Sequence, residues 1–169
     1  MNIFVLDPDP KIAASYHCDQ HLHKMILGSA QMLSTAMWKW YPECRPYLYK
    51  PAYENHPCTL WVKQSISNAA WLAHLMQELQ EIRYSLGCEE HSAMKIKSHF
   101  WAWSPENIPK NRENFVFAGP PSIEIRNLSV PEKYKMYYRQ KHKQWLLDKG
   151  AGMSYKNRPI PPFMADLLT

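Results

Sequence analysis

The stretch HCDQHLHKM, residues 17–25, places three histidines, a cysteine, an aspartate and a lysine within nine positions. His17 and His21 stand at i and i+4, so on one helix both imidazoles reach a common point. That spacing can chelate a divalent metal if His56, Cys58, His91 or Asp19 adds a ligand, although Asp19 is rotated far from His21. A second chemistry is acid–base work. Histidine titrates near neutral pH and can hold or pass a proton, and Lys24 can hold a phosphate or stabilise a developing anion. A third outcome is structural, with one histidine in a buried polar cluster and the other in water. No second paired motif exists, and no bound metal is expected.

These side chains need an element that aims them. At 100° per residue, Leu22, Ile26, Leu33 and Met37 form an apolar stripe, while His17, His21, Lys24, Gly28, Gln31 and Thr35 form a polar one. His23 lies away from both other histidines. Gly28 sits mid-stripe, where glycine costs about 1 kcal/mol relative to alanine; it provides either close packing or room for a ligand. Asp9 caps and Pro10 opens a helix expected to run from Lys11 to about Trp40. The lead-in NIFVL is a short strand or an extended buried segment. A Pro-punctuated loop, residues 41–57, leads to a second long helix from Pro57 to Gly87, whose apolar face is Leu72, Leu75, Met76, Leu79 and Ile82. His56 stands just before it, either as a cap or as a phosphate partner beside unpaired first-turn N–H groups.

A shorter helix is expected from Glu89 to about His99, then mostly irregular chain, then a helix from Pro131 to Gly150. A Pro-rich tail should lie extended over the surface. Arg83 and His91 either stay at the surface or fold back toward the groove that His21 faces. The fold class is therefore mainly α: a single helical domain over residues 1–169, with two long N-terminal helices, irregular Pro-rich connections and a basic C-terminal helix.

Charge is placed unevenly. Residues 1–130 carry equal numbers of basic and acidic side chains, so the whole net charge of +5 falls in residues 131–169. A localised basic segment is the footprint of a phosphate-backbone binder. Arg139, Lys143, Lys156 and Arg158 are the cations expected to be free for phosphates. In that helix Tyr134, Tyr138 and Trp145 share one side and face the core. Trp101 and Trp103 in FWAW could stack on bases. No apolar run reaches the ~20 residues of a membrane span, no signal peptide is visible, and the four cysteines show no CxxC spacing. A soluble, cytoplasmic protein with free thiols is expected, with no cofactor and no membrane partner.

Two resemblances attach to these residues. The opening MNIFVLDPDP…HCDQHLHKMIL, the NHP at 55–57 and the closing YR…W…P resemble a family of small proteins encoded by tailed phages, which implies the host cytoplasm. More distantly, DQHL (Asp19 to Leu22), HP…W (His56, Pro57, Trp61) and Arg83, Tyr84, Gly87 and His91 resemble the endonuclease V-type pyrimidine-dimer DNA glycosylases. That resemblance implies an all-α fold, a base flipped from the duplex, and attack on sugar C1′ by the chain's own N-terminal amine, here on Met1. A helical glutamate assists, and a Schiff base then allows strand cleavage. His21 falls on that family's first-helix histidine, but its glutamate falls on Gly28, which has no acid–base chemistry. Asp19, Glu54 or a water would have to substitute. The leading expectation is glycosidic-bond cleavage on DNA or a nucleotide, using Met1, His21, Lys24 and His56. The rivals are a non-catalytic protein that blocks a host factor or sequesters a nucleotide, and a metal-dependent nuclease or hydrolase.

Overall fold

Ile3, Phe4, Val5 and Leu6 open the chain, and all four are buried. They form no strand. The amides of Val5 and Leu6 bond back two residues, to Ile3 and Phe4, in consecutive tight turns. The computed structural model describes residues 2–103 and 108–168. Among them there is no strand, and no helix is long and apolar enough to cross a membrane. The fold is mainly α, as expected.

The helices are α1 (Pro10–Ser15), α2 (Asp19–Trp40), α3 (Pro57–Gln64), α4 (Ile66–Ser85), α5 (Met94–Ala102), α6 (Pro121–Glu124), α7 (Val130–Lys149) and α8 (Ala165–Leu168). Short 3-10 turns cover Pro42–Tyr47 and Pro162–Met164. The local start and stop signals act where expected. Asp9 accepts from the Lys11 amide with Pro10 at the first helical position, and Gly87 and Gly150 end α4 and α7 in the left-handed region, at φ +77° and +65°.

Both expected long helices are broken, and tertiary bonds explain the first break. The helix from Lys11 to Trp40 is interrupted at residues 16–18, so His17 lies between α1 and α2. Cys18 offers α2 no side-chain cap. Instead, the Cys18 amide donates to the Tyr138 hydroxyl at 2.9 Å and the Asp19 amide to the Ser154 carbonyl. Amides that a continuous helix would keep for itself are thus satisfied from the C-terminal part of the chain. The second break is more local. The Ser65 hydroxyl caps α4 by accepting from the Asn68 amide, and Asn68 in turn donates to the Trp61 carbonyl at the end of α3.

α2 packs on α3, α4 and α5, and α1 packs on α4. Leu22, Ile26, Leu33 and Met37, the expected stripe, are all buried, each worth roughly 1.5–3 kcal/mol relative to exposure. α7 closes this core with two tyrosines that have no exposed surface. The Tyr134 hydroxyl accepts from the Ala118 amide and donates to the Val116 carbonyl. Tyr138 does the equivalent at the start of α2.

The C-terminal tail departs from the expected surface strap. Met153, Tyr155 and Met164 are buried, and Asp19 clamps the segment. Its carboxylate accepts from the Ser154 hydroxyl at 3.0 Å, the Lys156 amide at 2.7 Å and the Arg158 guanidinium at 2.6 Å. Gln20 adds two bonds, to Ser154 and Gly152. In DQH, therefore, the first two side chains hold the tail.

Replacing Tyr138 by Phe removes the partner of the Cys18 amide and of His21. The expected loss is about 1–3 kcal/mol of unfolding free energy in urea denaturation, and a change near zero would contradict the hub role.

Candidate active site

Phe4 carries the arrangement inward. Its ring stacks on His21, with centroids 5.2 Å apart and planes at 16°, and meets Tyr138 edge-on at 5.3 Å. Trp145 meets the imidazole edge-on at 5.4 Å. Trp145 is half-buried and packs against the core, the side expected of it. His21 Nδ1 lies 2.7 Å from the Tyr138 hydroxyl. That hydroxyl already accepts from Cys18 and has one proton to give. Imidazole nitrogen is a better acceptor than the Cys18 sulfur at 3.3 Å, which favours donation to Nδ1 and the Nε2–H tautomer of His21 over Nδ1–H donating to the hydroxyl.

The burial has an electrostatic consequence. Desolvation, then the neighbouring His17, Lys141 and Lys24, push the His21 pKa down to about 2. His17, with no exposed surface, is lowered to about 4, chiefly by burial. Its Nδ1–H donates to the Ala13 carbonyl at 2.7 Å, and Nε2 has no partner among the described residues. Both rings are neutral at physiological pH. They stay adjacent, at 6.4 Å between centroids, despite the break in the helix.

His21 opens onto a hollow of about 360 Å³, within the usual range for small-ligand pockets, lined by Asn2, Phe4, His21, Lys24, Met25, Tyr53, Tyr137 and Lys141. Among the described residues, the ammonium groups of Lys24 and Lys141 face it and no carboxylate does. Tyr53 has φ +53°, a left-handed conformation that costs a tyrosine about 1–2 kcal/mol. Lys141 lies across the rings of Tyr137 and Trp145, at 5.5 and 5.7 Å.

The other expected site residues are dispersed. Met1 lies outside the described residues. His17 is buried behind His21, and Gly28 is buried further along α2; neither lines the hollow. His56 caps α3, its Nδ1 accepting from the Cys58 amide at 3.2 Å, and burial lowers its pKa. Asp19 is committed to the tail, and Glu54 is exposed and not among the lining residues. Arg83 does not fold toward His21. It lines a separate hollow with Asp19 and Lys156 and donates to the Glu89 carbonyl. His91 packs instead against His23, with ring centroids 4.2 Å apart and planes tilted by 49°. Trp101 is exposed beside His74, and Trp103 stacks on His99 at 5.1 Å.

Two of the expected phosphate cations are already paired. Arg139 makes a two-pronged ion pair with Asp166, one arm at 2.7 Å, and also donates to the Phe163 carbonyl. Arg158 is held by Asp19 and the His17 carbonyl. Lys143 and Lys156 are exposed. Among the described residues no three His, Cys, Asp or Glu side chains come together as a metal-binding group. The chelate that the His17/His21 spacing could have formed therefore lacks a third ligand among the described residues.

The residues that sequence reading missed are Asn2, Phe4, Met25, Tyr53, Tyr137 and Lys141. Tyr137 and Lys141 did carry a signal, an i, i+4 aromatic–cation pair on α7. That spacing does not say which surface the pair faces.

The model of a family described as pyrimidine dimer DNA glycosylase matches residues 1–94. The chain belongs to this family. The match takes in the lead-in, the DQHL segment, α3 and α4, and ends at the first residue of α5. No curated protein and no solved structure matches the chain. In this glycosylase family member, the side chains of α7 that complete the hollow lie beyond the matched segment.

Neutral buried histidines make stability acid-sensitive. Unfolded histidine titrates near 6.5, above the folded values of His17 and His21. Below that pH the unfolded chain binds more protons, so stability present above 6.5 is lost as pH falls toward 4. The slope is about 1.4 kcal/mol per pH unit for each imidazole. Burial lowers His56, His91 and His142 as well, adding with the same sign. Urea midpoints should fall steadily from pH 7 to pH 5; a flat profile would contradict neutral burial.

Proposed function

We propose that this protein binds DNA with an extrahelical sugar in the hollow and acts on abasic sites by Schiff-base lyase chemistry, with base excision itself impaired. The observation that carries this reading is the lining: His21, Lys24 and Lys141 with no carboxylate among the described residues, beside the family-matched segment.

The two reactions ask different things of the site. Breaking a glycosidic bond builds positive, oxocarbenium-like charge on the sugar. A carboxylate stabilises that charge, and two nearby ammonium groups oppose it. The family resemblance puts the carboxylate at position 28, which is glycine here. An abasic sugar already presents an aldehyde at C1′ when its ring opens. An amine adds to it without a cationic sugar, and ammonium groups then favour departure of the 3′ phosphate. Lys24, exposed at the rim, holds a backbone phosphate. The neutral His21, anchored through Nδ1, offers its Nε2–H to a sugar or phosphate oxygen. The resemblance assigns the attacking amine to Met1.

The test uses the full chain with two duplexes, one containing an abasic site and one a pyrimidine dimer. Borohydride should trap a covalent adduct on the abasic duplex, while dimer excision stays at background. Affinity should fall steeply with salt, because bound counterions are released, and Lys24→Ala should flatten that slope by about one unit. Efficient dimer excision would overturn the claim of impaired base removal. Salt-sensitive binding without an adduct would leave a non-catalytic DNA binder. A salt-independent response would remove the phosphate role.

A further inference from the structure

We infer that the ε-amine of Lys141 is itself a nucleophile of the hollow, condensing with the C1′ aldehyde of a ring-opened abasic deoxyribose. This rests on the DNA reading above and names an amine for it. Lys141 belongs to α7, well beyond residues 1–94, so the family match assigns it no role.

Position is the first argument. Lys141 shares the hollow with His21 and Lys24. Tyr137, one turn earlier, and Trp145, one turn later, bracket its side chain, and both rings lie within 6 Å of Nζ. A lysine in water samples many rotamers; this one is held at the wall where the substrate would sit, which lowers the entropic cost of attack.

Protonation is the second. Burial first, then the ammonium groups of Lys24 and Lys149, hold Lys141 below the usual lysine range. The aromatic faces pull the other way. Its other close neighbour, His21, is neutral and adds no opposing charge. Desolvation beside other cations is a recognised way to free a lysine amine for imine formation.

The step balances without a co-reactant. Nζ adds to C1′, water leaves, and a C1′=N bond forms. Protonation of that imine acidifies C2′, whose proton passes to water. The C3′–O bond then breaks, and the 3′ phosphate departs with the bonding pair. Hydrolysis returns the free amine and releases the unsaturated sugar aldehyde.

The decisive experiment is borohydride trapping of the full chain on abasic duplex DNA, followed by proteolysis and mass mapping of the reduced sugar. The adduct should lie on the Lys141 peptide. Lys141→Arg, which keeps the charge and approximate length, should lose that adduct while its circular dichroism spectrum and melting curve match the parent. An adduct only at the chain's amino terminus or on Lys24 would overturn the inference and leave the DNA reading standing. Binding with no adduct would also overturn it. No binding to abasic DNA would bring down the DNA reading together with it.

Discussion

The Tyr138 hydroxyl accepts the Cys18 amide and bonds His21 Nδ1. It does so where the start of α2 meets α7. Without it, α2 starts with an unpaired buried N–H and the imidazole loses the contact that sets its tautomer. An unmade hydrogen bond in such a place costs more than a formed one contributes. The cost is raised further because Phe4 and Trp145 exclude water from the same ring. The hollow depends on this joint. One wall comes from the chain's opening residues and α2, and the other from Tyr137 and Lys141 of α7.

The electrostatics follow from that geometry. Closing aromatic side chains around two histidines removes them as charges at neutral pH, leaving Lys24 and Lys141 as the cations of the hollow among the described residues. The hollow thus presents fixed positive charge beside a neutral imidazole. The basic character of residues 131–169 contributes differently from what the raw count suggests. Its two arginines are consumed internally, in pairs with Asp166 and Asp19 that fasten the tail. Of its lysines, Lys133 donates to the Glu124 carbonyl, Lys141 lines the hollow, and Lys143 and Lys156 are exposed. Lys141 and Lys143 sit two residues apart on α7 and face different hollows.

How much of this was legible depended on the range of the forces involved. Asp9, Pro10, Gly87 and Gly150 act through backbone groups within one turn, so helix ends at these positions could be read directly. The apolar stripe of α2 was legible for the same reason. The interruption at residues 16–18 was not, because its partners, Tyr138 and Ser154, lie more than 115 positions away. The same distance hid the fate of Asp19 and Arg158, which looked like site residues by type and are structural by contact. His21 and Lys24 were found because α2 aims them together. Phe4 was not, because an apolar lead-in gives no hint that one of its rings will floor a pocket.

The central claim is that DNA enters at the hollow bounded by α2 and α7. Backbone and side-chain NMR of the full chain, titrated with a duplex carrying a stable, non-reactive abasic-site analogue, tests it most directly. The account predicts the largest shift changes at Phe4, His21, Lys24, Tyr53, Tyr137 and Lys141, with His21 remaining neutral throughout. Changes concentrated instead at the hollow lined by Arg83 and Lys156, or at the one lined by Arg139 and Lys143, with these six residues silent, would contradict it.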